Sequence, residues 1–223
     1  MMLGTRATRT GVLFALLLGT LLLIVLAPAG ARAAWKTADA RIIDPSGTGY
    51  VPLLNVRVAN HAFNDAAAVT GIEFSDDGLS WYALPYTGQD QDWVLSGASG
   101  PKTLQVRFVA ADGEVSPVVR TSVTVDSAGP ATAALGSVRA SAGRPVRFTY
   151  VVRDAQSPRV RARLLVCGAG VRTSYPLGSV STGEHVARVR TGLTAGTYRW
   201  SVEATDLAGW AQEQKVAGTL VVK

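Results

Sequence analysis

His61 and His185 are the only two histidines in this sequence, and they lie far apart along the chain. A Ser–His–Asp site would need one of them beside a serine on a Gly-x-Ser-x-Gly elbow. No such elbow occurs, and Gly97 to Gly100 (GASG) reads as a loop. There is no His-Glu-x-x-His pair, no second cysteine to share a zinc ion, and no glycine-rich phosphate loop ahead of a helix. The residues therefore predict no catalytic site, no metal site and no cofactor. Acidic side chains gather at Asp76, Asp77, Asp90, Asp92, Asp112 and Glu114. Calcium wants six to eight oxygens, but these residues lack EF-hand spacing, and Asp-Gly pairs are turn chemistry. They are expected to be solvated. Trp81, Tyr82, Tyr86 and Trp93 surround one loop. Trp81 and Trp93 are expected in the core, and Tyr82 and Tyr86 are the candidates for stacking on a sugar ring.

Charge carries the sharpest pattern. Residues 35–127 hold six Lys and Arg against eleven Asp and Glu, a net −5. Residues 128–223 hold thirteen against five, a net +8. Arg159, Arg161 and Arg163 alternate along one stretch, and Arg188 and Arg190 along another. Alternate positions share one face of a strand, so these five arginines are the candidate sites for a polyanion. A guanidinium forks onto phosphate or carboxylate in two parallel bonds. Glu203 and Glu213 are the acids available to screen them instead.

The elements that must position these groups are strands. Leu104, Val106, Phe108 and Ala110 alternate with polar neighbours, as do Val146, Phe148, Tyr150 and Val152. Val160, Ala162, Leu164 and Val166 alternate with arginines, and Tyr198, Trp200, Val202 and Ala204 form another such row. One apolar and one wet face per strand predicts antiparallel sandwiches. Val106–Gly113 (VRFVAADG) and Val202–Gly209 (VEATDLAG) both read as strand, Asp, Gly, with Asp112 and Asp206 94 residues apart. That spacing fits one small sandwich each, over 34–127 and 128–223. Gly129-Pro130 supplies the bend between them, where few contacts are expected. In the second half, Asp206 is expected to cap its own loop, Gly209 to take a positive φ, and Trp210 to cover the end of the core. The single cysteine, Cys167, has no internal partner. It is either a buried small hydrophobe at a strand end or a free thiol, and its apolar neighbours favour the first.

Residues 1–33 do not read as fold. Arg6 and Arg9 precede an apolar run from Val12 to Leu26, and Ala31-Arg32-Ala33 follows. This is the pattern of a cleaved export signal. The alternative is an uncleaved anchor, since Gly11 to Ala31 is uncharged and long enough to span a bilayer. Either way the expected location is secreted or cell-surface, and membrane contact is expected only with an uncleaved segment.

Phe74–Tyr86 (FSDDGLSWYALPY) and Trp93–Ser116 resemble bacterial Ig-like repeats of the Ser-x-Asp-Gly-x-x-Trp type. Ser75, Asp77, Gly78, Trp81, Trp93, Leu95, Gly100, Lys102 and Thr103 stand at the matching positions in order. The closing element departs, with Asp112-Gly113-Glu114 where Asp-x-x-Gly-Asn is usual. Gly196–Trp210 (GTYRWSVEATDLAGW) resembles the closing hairpin of flagellar-hook-cap-type Ig-like modules, with Trp210 in place of the usual Asn. The resemblance implies all-β, tandem Ig-like or fibronectin-like sandwiches on a secreted or surface protein. It fixes no single role. The expected function is a non-catalytic interaction or structural module that docks an anionic cell-wall polymer, a polysaccharide or a protein partner. Export argues against nucleic acid. The alternatives are a carbohydrate-binding accessory protein of a secreted enzyme and a membrane-anchored envelope spacer.

Overall fold

The computed structural model describes residues 34–223. The expected export signal or anchor at 1–33 lies outside the described residues. The first half contributes eight strands: β1 (Trp35–Ile42), β2 (Tyr50–Val51), β3 (Asn55–Asn64), β4 (Val69–Ser75), β5 (Tyr82–Pro85), β6 (Gln91–Val94), β7 (Gly100–Ala110) and β8 (Val119–Val125). They pair into two sheets, β1-β3-β6 and β2-β8-β7-β4-β5. The second half contributes nine: β9 (Ala131–Ala134), β10 (Val138–Ala140), β11 (Pro145–Arg153), β12 (Arg159–Gly168), β13 (Val171–Ser181), β14 (Gly183–Arg190), β15 (Gly196–Thr205), β16 (Gln214–Val216) and β17 (Gly218–Val222). These form β10-β17-β15-β12-β13 and β14-β11-β9-β16. The fold is all-β, as tandem sandwiches. Most pairings are antiparallel, but the short edge strands β2, β10 and β16 pair in parallel.

Alternation decides which side chains go inside. Val58, Ile72, Phe74, Leu104, Val106 and Phe108 fill the first core. Phe148, Leu164, Val166, Tyr198, Trp200, Val202 and Leu220 fill the second. Among the described residues, neither core cluster mixes residues from the two halves. Trp200 is 1% exposed and meets Phe148 edge-on, with ring centroids 5.0 Å apart. It stands opposite Gly218 on the neighbouring strand. A Cβ at Gly218 would lie 2.6 Å from the indole nitrogen, so the absence of a side chain there makes room for the ring. Cys167 is half-buried at the end of β12.

The Ser75–Ser80 turn shows why the Ser-x-Asp-Gly pattern is structural. Asp77 Oδ1 accepts hydrogen bonds from the amides of Leu79 and Ser80, both 2.8 Å, and Ser75 Oγ accepts from Gly78 N. Those amides hold the Asp77 carboxyl down to about 2. Gly78 supplies the positive φ of 75° that closes the turn.

The aromatic expectations divide. Trp93 stacks on Phe74 at 4.9 Å and packs against the core. Trp81 does not join the core. It takes the Arg107 guanidinium over its ring at 4.0 Å, on the outward side of β7. A cation–π contact of this kind uses the flat face that the core would otherwise have covered.

The bend between the halves is more knitted than expected. Trp210 does not cover the second core. It is 37% exposed and donates from its indole N–H to the Asp126 carbonyl at 2.8 Å. Thr48 Oγ1 donates to the Leu207 carbonyl at 2.9 Å, and Ser99 and Ser127 share a hydroxyl contact at 2.5 Å. Glu213 N donates to Pro130 O. A Cβ at Gly129 would meet the Ala211 carbonyl oxygen at 2.2 Å, so only glycine permits this approach.

Two substitutions test the second core. Trp200→Ala is expected to destabilise by about 3–5 kcal/mol, as large aromatic deletions do. Gly218→Ala is expected to cost about 1–3 kcal/mol by overpacking the same ring. Denaturant unfolding of the chain measures both. A change under about 1 kcal/mol for Trp200→Ala would mean that the ring is not part of the core.

Candidate functional site

β12 places its arginines by the same alternation that builds the core. Val160, Ala162, Leu164 and Val166 point inward and are buried, so Arg159, Arg161 and Arg163 stand on the wet face of the sheet. β15 lies on one side, with Thr205 opposite Arg161 and Glu203 opposite Arg163. β13 lies on the other, and its register shifts between Ala162 and Arg163, where Gly178 takes a positive φ of 76°. Such a bulge increases the local twist and re-aims the neighbouring side chains.

A third wall comes from the chain after Trp210. Gln212 exchanges two bonds with the Ala204 backbone: its amide donates to the carbonyl at 2.9 Å, and its Oε1 accepts from the amide at 2.7 Å. Together these walls bound an open groove of about 830 Å³. Arg161, Arg163 and Lys215 line it, along with Glu203 and Glu213.

The groove's charges are unequally engaged. Glu203 takes Arg163 at 2.7 Å and Lys215 at 3.0 Å. Hydrogen bonds from Lys215, then from Arg163, hold its carboxyl below the ordinary value. Glu213 screens no arginine. Its Oε1 accepts from the Gly129 amide instead, at 3.3 Å. Among the described residues, Arg159 and Arg161 make no ion pair. The row therefore keeps two uncommitted guanidinium groups beside one that is committed.

The five predicted arginines do not share a surface. Arg188 and Arg190 lie on β14, in the four-stranded sheet, and both are exposed. Arg188 stands directly opposite Arg147 of β11. These three form a second basic patch on the other sheet, separate from the β12 row. Arg147 and Lys215 were the basic residues that sequence reasoning left out. Arg147 was legible from its place in the alternation of β11. Lys215 was not, because β16 is too short to carry a pattern.

The two tyrosines also part. Tyr82 is 70% exposed, edge-on to Trp93 at 6.1 Å. Tyr86 corrects the expectation of exposure. It packs against Phe108 at 5.6 Å, and its hydroxyl accepts from Ala62 N at 3.0 Å. That hydrogen bond fixes the ring over the first core, so Tyr86 is half-buried while Tyr82 stands exposed. His185 contacts the Ser181 carbonyl oxygen at 2.7 Å through Nε2. Among the described residues, neither histidine hydrogen-bonds a carboxylate or a serine hydroxyl. The acidic residues of the first half serve local roles. Asp76 accepts from the Trp93 indole and from Ser96 N, Asp112 accepts from Glu114 N, and Asp90 pairs with Arg57.

No protein-family model and no curated protein matches the chain. Among solved structures it is similar to the fibronectin(III)-like modules of Clostridium thermocellum CbhA, at 18% identity and a TM-score of 0.46, over 83% of this chain and 94% of that one. It is also similar to a structure from a 1.5-MDa bacterial ice-binding adhesin, at 12% identity and a TM-score of 0.42, over 84% of this chain and 65% of that one. A two-domain fibronectin type-III segment of chicken tenascin is similar at 9% identity and a TM-score of 0.32, over 84% of this chain and 98% of that one.

Proposed function

We propose that the chain is a non-catalytic, extracytoplasmic module of Ig-like or fibronectin-like type. Its halves meet at Ser127 and Ala128, and its second sandwich docks an anionic cell-envelope polymer. The observation that carries this reading is the exposed arginine row of β12, in which Arg159 and Arg161 are free of ion pairs among the described residues. Three like charges at alternate positions repel one another, and a polymer of phosphates or carboxylates relieves that repulsion while gaining forked hydrogen bonds. The export pattern of residues 1–33 puts such a polymer within reach. The Ser-x-Asp-Gly-x-x-Trp turn supports the module type.

Retention of the exported protein on purified cell wall, or on heparin as a polyanion probe, tests this. Binding should weaken with salt, because the Debye length shrinks from about 10 Å at 0.1 M to about 3 Å at 1 M. The triple change Arg159→Ser, Arg161→Ser, Arg163→Ser should elute much earlier. At roughly 1 kcal/mol per basic side chain on an anionic surface, each arginine is worth about fivefold in affinity. Elution of the triple variant together with the parent would reduce the row to a solvated face.

Glu203→Gln should act in the opposite direction. It releases Arg163 and Lys215 from their shared carboxylate, and retention should rise. Unchanged retention would mean that the polymer does not enter the groove.

A further inference from the structure

Three aspartates that are remote in sequence meet where the linker joins the second sandwich. Asp126 follows β8, Asp154 follows β11 and Asp206 follows β15. One carboxylate oxygen from each lies within 4.8 Å of the others. Asp126 is 1% exposed and Asp206 is 8% exposed, while Asp154 is half-buried. None of the three is in an ion pair among the described residues.

Their hydrogen bonds are lopsided. Asp154 Oδ1 accepts from the amides of Gln156 and Ser157 at 2.9 and 2.7 Å. Asp206 Oδ1 accepts from Trp210 N at 2.8 Å, and Asp126 Oδ2 accepts from Ser157 Oγ at 2.7 Å. Asp126 Oδ1 has only a long contact from Ala128 N, at 3.5 Å. Asp154 Oδ2 and Asp206 Oδ2 are enclosed and accept nothing. Each carboxylate thus has one oxygen fixed by the chain and another left over. Asp206 is more than nine-tenths buried, and its unpartnered oxygen is enclosed by the chain.

A buried acceptor without a donor costs free energy, and three mutually close carboxylates cost more. Burial, and then the charges of Asp126 and Asp154, push the Asp206 carboxyl up to about 6. A cation placed among the three would satisfy the leftover oxygens and offset their mutual repulsion at once.

We propose that Asp126, Asp154 and Asp206 form a calcium site that fastens the linker to the end of the second sandwich. The donor set is oxygen only, which selects a hard cation over zinc or copper. Calcium–oxygen bonds of about 2.3–2.6 Å span up to roughly 5 Å across the ion. The carboxylate oxygens already stand within that span. Magnesium, at about 2.0–2.1 Å in a strict octahedron, would have to draw all three loops inward. Backbone carbonyls and water would complete the coordination.

The cation would join contacts already present at the junction. Trp210 bonds the Asp126 carbonyl through its ring and Asp206 Oδ1 through its amide, and Ser157 bonds Asp126 and accepts from Leu207 N at 3.3 Å. With Thr48 also on Leu207, the loop after β1 reaches the same point. Calcium would therefore stiffen the connection between the sandwiches.

Two readouts on the full exported chain test this. Thermal unfolding in EDTA is compared with unfolding in calcium chloride, and terbium luminescence is excited through Trp210 beside the site. Calcium should raise the Tm saturably, with half-effect near about 0.1–1 mM, the range of extracellular calcium modules. Terbium emission should rise and be competed away by calcium. Asp206→Asn should unfold at a Tm in EDTA no lower than the parent's, because repulsion is relieved, yet lose most of the calcium shift and the terbium signal. Asp154→Asn should weaken the calcium response in the same way. A parent Tm unmoved by 10 mM calcium, or terbium emission unchanged by Asp206→Asn, would overturn the proposal. An equal shift from magnesium at the same concentration would overturn the assignment to calcium.

Discussion

The second sandwich depends on Trp200 lying against Phe148 over a glycine. With one cysteine in the chain, no internal disulfide can hold the sheets together, so packing must do so. The largest side chain available sits at the centre of β15, where both sheets can reach it. Its size sets a demand on the neighbouring strand, which Gly218 meets by offering no side chain. Once the inward positions of β12 and β15 are committed to that core, their outward positions are free for other uses. The arginine row exists because the core does not need those positions.

The same logic explains which parts of the fold were legible in the sequence. A strand of nine to eleven residues repeats its two-residue period often enough to declare its faces, so the inward rows of β7, β11, β12 and β15 could be read directly. Asp206 capping its loop and Gly209 at a φ of 94° were equally local, since each depends on residues within one turn. Side chains near strand ends escaped this reading. Trp81, Tyr86 and Trp210 all follow or precede strands, where period two no longer fixes direction. Their orientation is set by long-range partners: Arg107 for Trp81, Ala62 N for Tyr86 and the Asp126 carbonyl for Trp210.

The basic surface was half legible for a related reason. Alternation told which arginines point outward, but not which of the two outer faces each strand belongs to. β12 and β14 are separated in sequence by one strand, β13, which pairs with β12 at the edge of its sheet, and the chain changes sheets only in the turn that leads into β14. Their arginines therefore face away from each other. Screening was likewise a matter of distance. Glu203 reaches Arg163 because β15 pairs directly with β12, whereas Glu213 is drawn off by the amide of Gly129 across the bend.

The junction carries this furthest, because its charges have no local origin. Asp126 is the last acid of the acidic half, and Asp154 and Asp206 are two of only five acids in the basic half. A net charge of +8 would ordinarily leave such residues paired with arginine. Here none of the three is in an ion pair among the described residues, and the loops that carry them bring their carboxylates together instead. Their fixed oxygens bond amides and a serine hydroxyl, which are neutral donors, so the chain organises the carboxylates without neutralising them. Acids gathered in this way are poorly suited to holding a domain boundary by themselves, since ionisation pushes the three loops apart. They suit a boundary whose stiffness answers to a cation from outside. The proposed polyanion face and the proposed cation junction would then respond to ions in opposite senses, with salt weakening the first and a divalent cation tightening the second.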